Sequence, residues 1–448
     1  MGTLAVRHNR LAAKIFACFL LAFISKLHAE VDAIVKDARA LLERGQPKQA
    51  FDLLEPQEVP RAGDPDYDTV LGIAANETGQ FTRAIFALER VLAVQPENSR
   101  ARAELGRALF SVGDTQSSRR VLLETKKDNI PAAAAATINQ FLEAIDRSEE
   151  ADRSSVKAYV ETSVGYDTNI NSGPANSAVA VPAFGGLIFT LNNAGVAAKD
   201  TFASLGAGVS TRYVLDPRWS LLGNFSASGR SNQNSANSVF NNMQLDANAG
   251  AAYRYDKHEF SGVVQAGSYD VNGTRARNQS GLVGEWTYRI DGFRQWSSYI
   301  QWGTLSYPGQ SARNTDRTVI GTSYAHTFRN GFLAFAGAYT GSEKEKGSAF
   351  PHLGHKLYGV RLGAQQAISQ ELSAFGSLSF ENRSFNGPDP LFLLTRNDDQ
   401  ISLNLGLTWI PAKLWRVTPQ LSLTTVKSNV AISDFRRTLF SITLRRDF

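Results

Sequence analysis

At Val156 the periodicity of the chain changes. Upstream, apolar residues recur with the 3.6-residue spacing of helices; from Val156 they alternate with polar ones, the spacing of strands. In 156–171, Val156, Ala158, Val160, Thr162, Val164 and Tyr166 share one face, and Lys157, Tyr159, Glu161, Ser163, Gly165 and Asp167 share the other. The same alternation returns in 282–290, in 401–410 and in 415–425. It runs to a chain end, Phe440-Ser-Ile442-Thr-Leu444-Arg-Arg446-Asp-Phe448.

Alternation alone does not separate a soluble β-sandwich from a barrel. The connections do. Short turns are expected at Asp216-Pro217, Asp256-Lys257, Asp291-Gly292, Asn330-Gly331, Ser369-Gln370 and Pro411-Ala412. Between them lie polar connections at 172–198, 231–241, 272–278, 306–313, 341–355, 383–396 and 427–434, which read as long. One rim with tight turns and one with long loops is the pattern of an outer-membrane barrel, and it gives about 14 strands, an even number as closure requires. Both ends of the barrel then lie on the short-turn, periplasmic side. Glu161, Arg212, Asp246, Arg254, Glu285, Arg361 and Arg416 fall on the polar face, which in a barrel lines the lumen. A cation on the lipid face at mid-bilayer would cost about 2–4 kcal/mol. Tyr166, Trp219, Tyr253, Tyr255, Trp302 and Trp409 are candidates for the aromatic girdles.

The N-terminus reads as a secretory leader over 1–29. Arg7, Arg10 and Lys14 precede an apolar core at 15–24, and Leu27-His28-Ala29 offers a cleavage point before Glu30. Lipid attachment at Cys18 is disfavoured, because Phe16 stands where a small residue is needed. Cys18 is the one cysteine of the chain, so a processed protein would carry neither disulfides nor a thiolate site.

Residues 30–150 repeat with period 34. Ala38, Gly72 and Gly106 form one column; Leu41, Ala75 and Leu109 another. Gly45, Gly79 and Gly113, then Ala50, Ala84 and Ser118, then Leu54, Leu88 and Leu122 complete the register. This is the spacing of the tetratricopeptide repeat. Small residues let the paired helices approach, and the third-column glycine ends the first helix. A helix at 130–147 is expected to cap the array. Asp66, Thr69, Ile73, Asn76, Arg100, Arg107 and Phe110 lie off the packing columns and are the candidate client-binding groove.

Chemistry is sparse. His352 and His355 lack a further metal ligand nearby; Asp398-Asp399 and Glu149-Glu150 face no partner across a cleft; His326 completes no triad. There is no phosphate loop or dinucleotide fingerprint, and the net charge of +5 is not gathered into a nucleic-acid face. The reading is therefore no enzyme, no cofactor and no nucleic acid.

A leader, a short repeat array and a barrel over 156–448, with Gly165-Tyr-Asp167-Thr-Asn169-Ile-Asn171 in the first strand, resemble the surface lipoprotein assembly modifier (Slam) family. Arg313-Asn-Thr-Asp316-Arg317, Arg396-Asn-Asp398-Asp399 and the arginine-rich last strand fit it too. The fold expected is a multidomain α + β chain, an α-solenoid followed by a transmembrane antiparallel β-barrel. The resemblance implies an outer-membrane translocon whose repeats engage a client lipoprotein or secreted protein in the periplasm. Outer-membrane lipid and the barrel-insertion machinery would be further partners of a monomer. The seam between 156–167 and 438–448, with Val160, Val164, Ile442 and Leu444, is the candidate lateral route, since acyl chains cannot cross a sealed lumen. The alternative is an exopolysaccharide export porin, whose lumen should carry one sign of charge. The mixed charges here favour protein export.

Overall fold

The computed structural model describes residues 33–150, 153–328, 330–347 and 349–448. The expected leader at 1–29 lies outside these residues. The chain forms two compact units that part between Pro131 and Ala132.

The first unit is helical. It runs through α1 (33–43), α2 (Pro47–Leu54), a single turn α3 (Glu58–Arg61), α4 (Pro65–Glu77), α5 (Phe81–Val94), α6 (Ser99–Ser111) and α7 (Thr115–Thr125). The pairs α1/α2, α4/α5 and α6/α7 are the three copies of the 34-residue period. Gly45, Gly79 and Gly113 follow the first helix of each pair with φ of 70°, 78° and 91°, the left-handed conformation that stops a helix. Gly72 and Gly106 sit where the pair crosses. A Cβ on Gly72 would lie 2.6 Å from Leu88 Cγ, and one on Gly106 would lie 2.6 Å from Leu122 Cδ2, the same contact one period on.

Side-chain caps start the helices. Asp64 accepts from the amides of Asp66 and Tyr67, Asn98 from Ala101 and Asp114 from Ser117. Between the pairs lies a core of Tyr67, Leu71, Leu88, Val91 and Leu105, continuous with Phe51 and Leu54. The Tyr67 hydroxyl donates to the Leu54 carbonyl. Burial first, and then the Glu58 carboxylate, push its phenol up to about 12. Asp68, wholly buried, is held by Arg90 at 2.6 and 2.9 Å.

The second unit begins with α8 (Ala132–Glu150) and continues as β1 (Ser155–Asp167), a small hairpin β2 (Ala178–Val181) and β3 (Leu187–Thr190), then β4 (Asp200–Val214), β5 (Trp219–Asn232) and β6 (Asn242–Tyr255). There follow β7 (His258–Val271), β8 (Thr274–Arg289), β9 (Arg294–Ser306), β10 (Thr315–Thr327) and β11 (Leu333–Glu345). The last are β12 (His355–Ala367), β13 (Leu372–Pro388), β14 (Thr395–Ala412), β15 (Trp415–Ser428) and β16 (Phe435–Asp447). β1 and β4 to β16 form one closed antiparallel barrel, in which β1 pairs with both β4 and β16. The 13 residues of β1 span about 43 Å at ~3.3 Å each, or about 33 Å along the membrane normal at a tilt near 40°. That clears the apolar band of an outer membrane, about 25 Å.

Three expected connections differ. Residues 272–278 are not a long loop: Asn272 (φ 51°) and Gly273 (φ 74°) make a two-residue hairpin, and β8 begins at once. Asn-Gly is the preferred pair for such a turn, so the strict short–long alternation fails at this hairpin. β13 runs on to Pro388 and shortens the loop placed at 383–396, and Pro411-Ala412 lie within β14, the turn being Lys413-Leu414. His355 likewise is not in a loop: it opens β12, buried beside the Phe385 ring at 5.1 Å.

The helix expected to cap the repeats groups instead with the barrel. Phe141 of α8 meets Phe293, in the β8–β9 turn, edge to face at 5.3 Å. Gly331 in the β10–β11 turn (φ 73°) leaves room for Gln140, whose Oε1 would lie 1.4 Å from a Cβ there. α8 therefore rests on two of the short turns.

Candidate functional site

The outer face of the barrel is apolar. Val160, Val164, Leu205, Val264, Leu282, Ile300, Ile320, Leu362, Leu405 and Ile442 are large, exposed and out of phase with the polar residues on the same strands. Near the short-turn rim this face carries rings. Trp219 packs on Tyr253 at 4.9 Å, His258 stacks on Tyr288 at 4.8 Å, and Trp296 sits 6.2 Å from Tyr324. Tyr255 and Trp409 are exposed near the same rim, and Tyr166 and Trp302 lie toward the other.

The seven polar-face charges all occupy inward register positions. Arg212 and Arg254 both donate to Glu259, each at 2.8 Å. Asp246 accepts from Gln279 at 3.0 Å and Gln244 at 2.6 Å. Glu285 accepts from the Thr287 hydroxyl at 3.3 Å. Arg361 lies 4.9 Å over the Tyr339 ring. Arg416 pairs with Asp447 at 3.0 Å, and Glu161 is 3.7 Å from Arg445. A further inward network joins Arg317 to Glu343, and Arg383 and Tyr339 to Glu381. Glu259 and Glu381 were missed in the sequence, although both stand on the polar face by the same period-2 count that found their neighbours.

The β1–β16 seam is closed, and its ladder is the shortest in the barrel. Nine residue pairs join Tyr159–Asp167 to Leu439–Asp447, whereas β1 meets β4 over thirteen, from Ser155 to Asp167. Val164 faces Ile442 and Val160 faces Arg446 across it, with Leu444 opposite Thr162. Polar groups fasten its inner side. At the outer end, the wholly buried Asp167 holds Arg437 at 2.5 Å and Arg230 at 3.0 Å. Midway, the Ser163 and Thr443 hydroxyls are 2.8 Å apart. At the inner end, Arg445 lies 3.8 Å over the Tyr159 ring.

The motif 165–171 supplies much of this. A Cβ on Gly165 would stand 2.4 Å from the Phe440 carbonyl. Asn169 donates to the Gly173 and Arg436 carbonyls, and Asn171 to those of Ala194 and Val196. The motif thus closes the seam and shapes the loop after β1. That loop carries the β2–β3 hairpin, whose Val179 and Val181 are buried with Phe392 and Val430 from the β13–β14 and β15–β16 connections.

The proposed repeat groove is largely filled. Thr69, Ile73, Asn76 and Phe110 are buried, which corrects their expected exposure to a client. Thr69 bonds back to the Pro65 carbonyl at 2.6 Å. Asn76 donates to Glu104 of the next repeat, and Arg107 reaches back to Glu77 at 2.6 Å. These two side chains join repeats to each other. Asp66, 3.8 Å from Arg39, and Arg100 are exposed.

Comparison with known proteins decides the family. The model of a family described as surface lipoprotein assembly modifier matches residues 157–448, the whole barrel from β1 to the last residue. The chain belongs to the surface lipoprotein assembly modifier family. A tetratricopeptide-repeat model matches 75–137. A surface lipoprotein assembly modifier of Moraxella catarrhalis is 24% identical over 387 residues, which is 84% of this chain and 72% of that one. Among solved structures, a loop-deletion mutant of OmpT, an outer membrane protein of Vibrio cholerae, aligns with 66% of this chain and 100% of its own at TM-score 0.37 and 9% identity. A Pseudomonas aeruginosa FadL homologue aligns with 71% of this chain and 94% of its own, at TM-score 0.35 and 10% identity. Family and closed barrel place the protein in the outer membrane, with its repeats in the periplasm and a role in surface lipoprotein assembly. The family is one of assembly and transport factors.

Proposed function

We propose that this protein binds a client lipoprotein or small secreted protein in the periplasm through its repeats and delivers it across the outer membrane by way of the barrel. The observation that carries the reading is the seam. In a family named for surface lipoprotein assembly, the barrel's shortest ladder joins its first and last strands. A lipid-anchored client needs an acyl path that stays in hydrocarbon while its polar part crosses, and a seam between lumen and bilayer offers both. Outer-membrane lipid is then a working partner as well as a solvent. The exposed Asp66 and Arg100 remain the groove positions a client can reach.

The test is surface display of a co-expressed lipoprotein, read by protease digestion of intact cells. Display is expected in cells carrying the complete chain and to fall to background in cells lacking it. Equal display in both would remove this protein from the pathway.

A further inference from the structure

We infer that the lipid-facing side of the barrel carries a seat for one acyl chain of a glycerophospholipid of the periplasmic leaflet, in a groove that crosses β10 to β14. The inference concerns how the barrel meets its membrane and stands apart from the delivery reading.

Register lays the groove out. Tyr324, Ala336, Leu362, Leu378 and Leu403 are successive cross-strand partners from β10 to β14. One row nearer the short turns, His326, Ala334, Ala364, Gly376 and Leu405 are partners in the same way. Leu362 and Leu405 face outward, and cross-strand partners share a face, so both rows do. Together they line a cavity of about 610 Å³. Its floor is the middle of the second row, where Ala334, Ala364 and Gly376 put three small residues on adjacent strands. At one end Phe328 stacks on His326 at 4.2 Å. At the other Leu405 leans over Gly376, where a Cβ would lie 3.1 Å from its Cδ2. The outward face has no such floor across β7 to β9, where the partners are Val264, Leu282 and Trp302.

Position names the occupant. Tyr324 stands three residues from the end of β10 at Thr327, Leu362 five from the end of β12 at Ala367, and Leu403 nine from the end of β14 at Ala412. These are the short-turn, periplasmic ends, so the groove starts in the aromatic girdle and climbs toward the middle of the membrane. With about 4.8 Å between strands, it runs for about 19 Å from β10 to β14. A trough of that length, inclined to the membrane plane, suits a chain that crosses one leaflet, about 15 Å deep. Water does not reach this face, and an empty trough forfeits dispersion contacts along its walls, so hydrocarbon fills it. A lipid with its headgroup at the girdle sends a chain straight up the groove. A lipid of the opposite leaflet would have to enter past Leu403 and Leu405. In an outer membrane the periplasmic leaflet is glycerophospholipid. It is present in excess at all times, so it is the resting occupant, and any other acyl chain must displace it.

The full chain is placed in phosphatidylcholine nanodiscs doped with a phosphatidylethanolamine that carries a diazirine on one acyl chain. After irradiation the labelled residues are located by mass spectrometry. Label is expected to be at least about fivefold higher on the two groove rows than on the row of Val264, Leu282 and Trp302. Ala334→Phe with Ala364→Phe fills the trough and is expected to bring the groove down to the level of that row. The variant is first shown to migrate as a folded, heat-modifiable barrel. Ala364→Leu alone, a smaller filling expected to lower the groove label about twofold, serves if the double variant does not fold. Even labelling around the barrel, or groove label untouched by the fillings, overturns the seat. Competition names the source: unlabelled phosphatidylethanolamine is expected to displace the label at a lower concentration than a triacylated cysteine peptide, and the reverse order overturns the phospholipid assignment. The measurement needs no export: groove label without surface display would fail the delivery reading alone, and display without groove label would fail this seat alone.

Discussion

Locking the seam is expected to stop delivery. Ser163→Cys with Thr443→Cys places two thiols where hydroxyls now stand 2.8 Å apart. Cys18, within the expected leader, is the sole native cysteine, so the engineered pair has no competitor once the leader is removed. Nine ladder pairs at on the order of 1 kcal/mol each make spontaneous opening cost on the order of 10 kcal/mol. The resting seam is therefore shut, and on the proposed delivery route client engagement would have to supply the energy that opens it. Under oxidising conditions the double variant is expected to lose surface display by at least about tenfold, since a covalent bond adds a barrier that client binding cannot meet. Reductant should restore display, and each single cysteine should behave as wild type. Undiminished display by the fully oxidised protein would leave the closed lumen as the route.

The second large effect is expected in the repeats. Gly72→Val and Gly106→Val each put a branched side chain where even a Cβ falls 2.6 Å from a buried leucine. Leu88 and Leu122 are 0% and 1% exposed and have nowhere to move. Overpacking of this kind costs about 1–3 kcal/mol per site, and the two sites belong to adjacent repeats whose stability is shared. The double variant is expected to lose helical circular dichroism at a clearly lower temperature than the wild type, while the barrel keeps its heat-modifiable migration. Display should fall with the repeats. A helical transition unmoved by both substitutions would contradict the packing described for the glycine columns.

These sites also show what the sequence could and could not disclose. The glycine columns were legible because the backbone demands them: Gly45, Gly79 and Gly113 all need a positive φ, and Gly72 and Gly106 all but touch a leucine. The strands were legible because lipid on one side and water on the other enforce period 2. The groove failed for a physical reason. A helix face off its own packing columns is not free when the next repeat lies over it, and Asn76 to Glu104 and Arg107 to Glu77 are such contacts. Asn272-Gly273 was misjudged because the polar run after it, read as loop, is the polar end of β8. Seam length depends on a pairing between residues nearly three hundred positions apart, and no local pattern carries it. Glu259 could have been placed by alternation, but its three arginines come from three other strands, which only the closed sheet brings together.

On the proposed route this one chain receives a client on the side of its repeats and releases it on the other. The most direct measurement uses vesicles containing the purified protein as their only protein component. Its repeats face the compartment loaded with a lipid-anchored client, and protease is added to the opposite side. The client is expected to become digestible over time with the wild-type chain, and to stay protected with the oxidised Ser163→Cys/Thr443→Cys chain until reductant is added. A client that stays protected in vesicles whose barrels are shown to be folded and correctly oriented would contradict it.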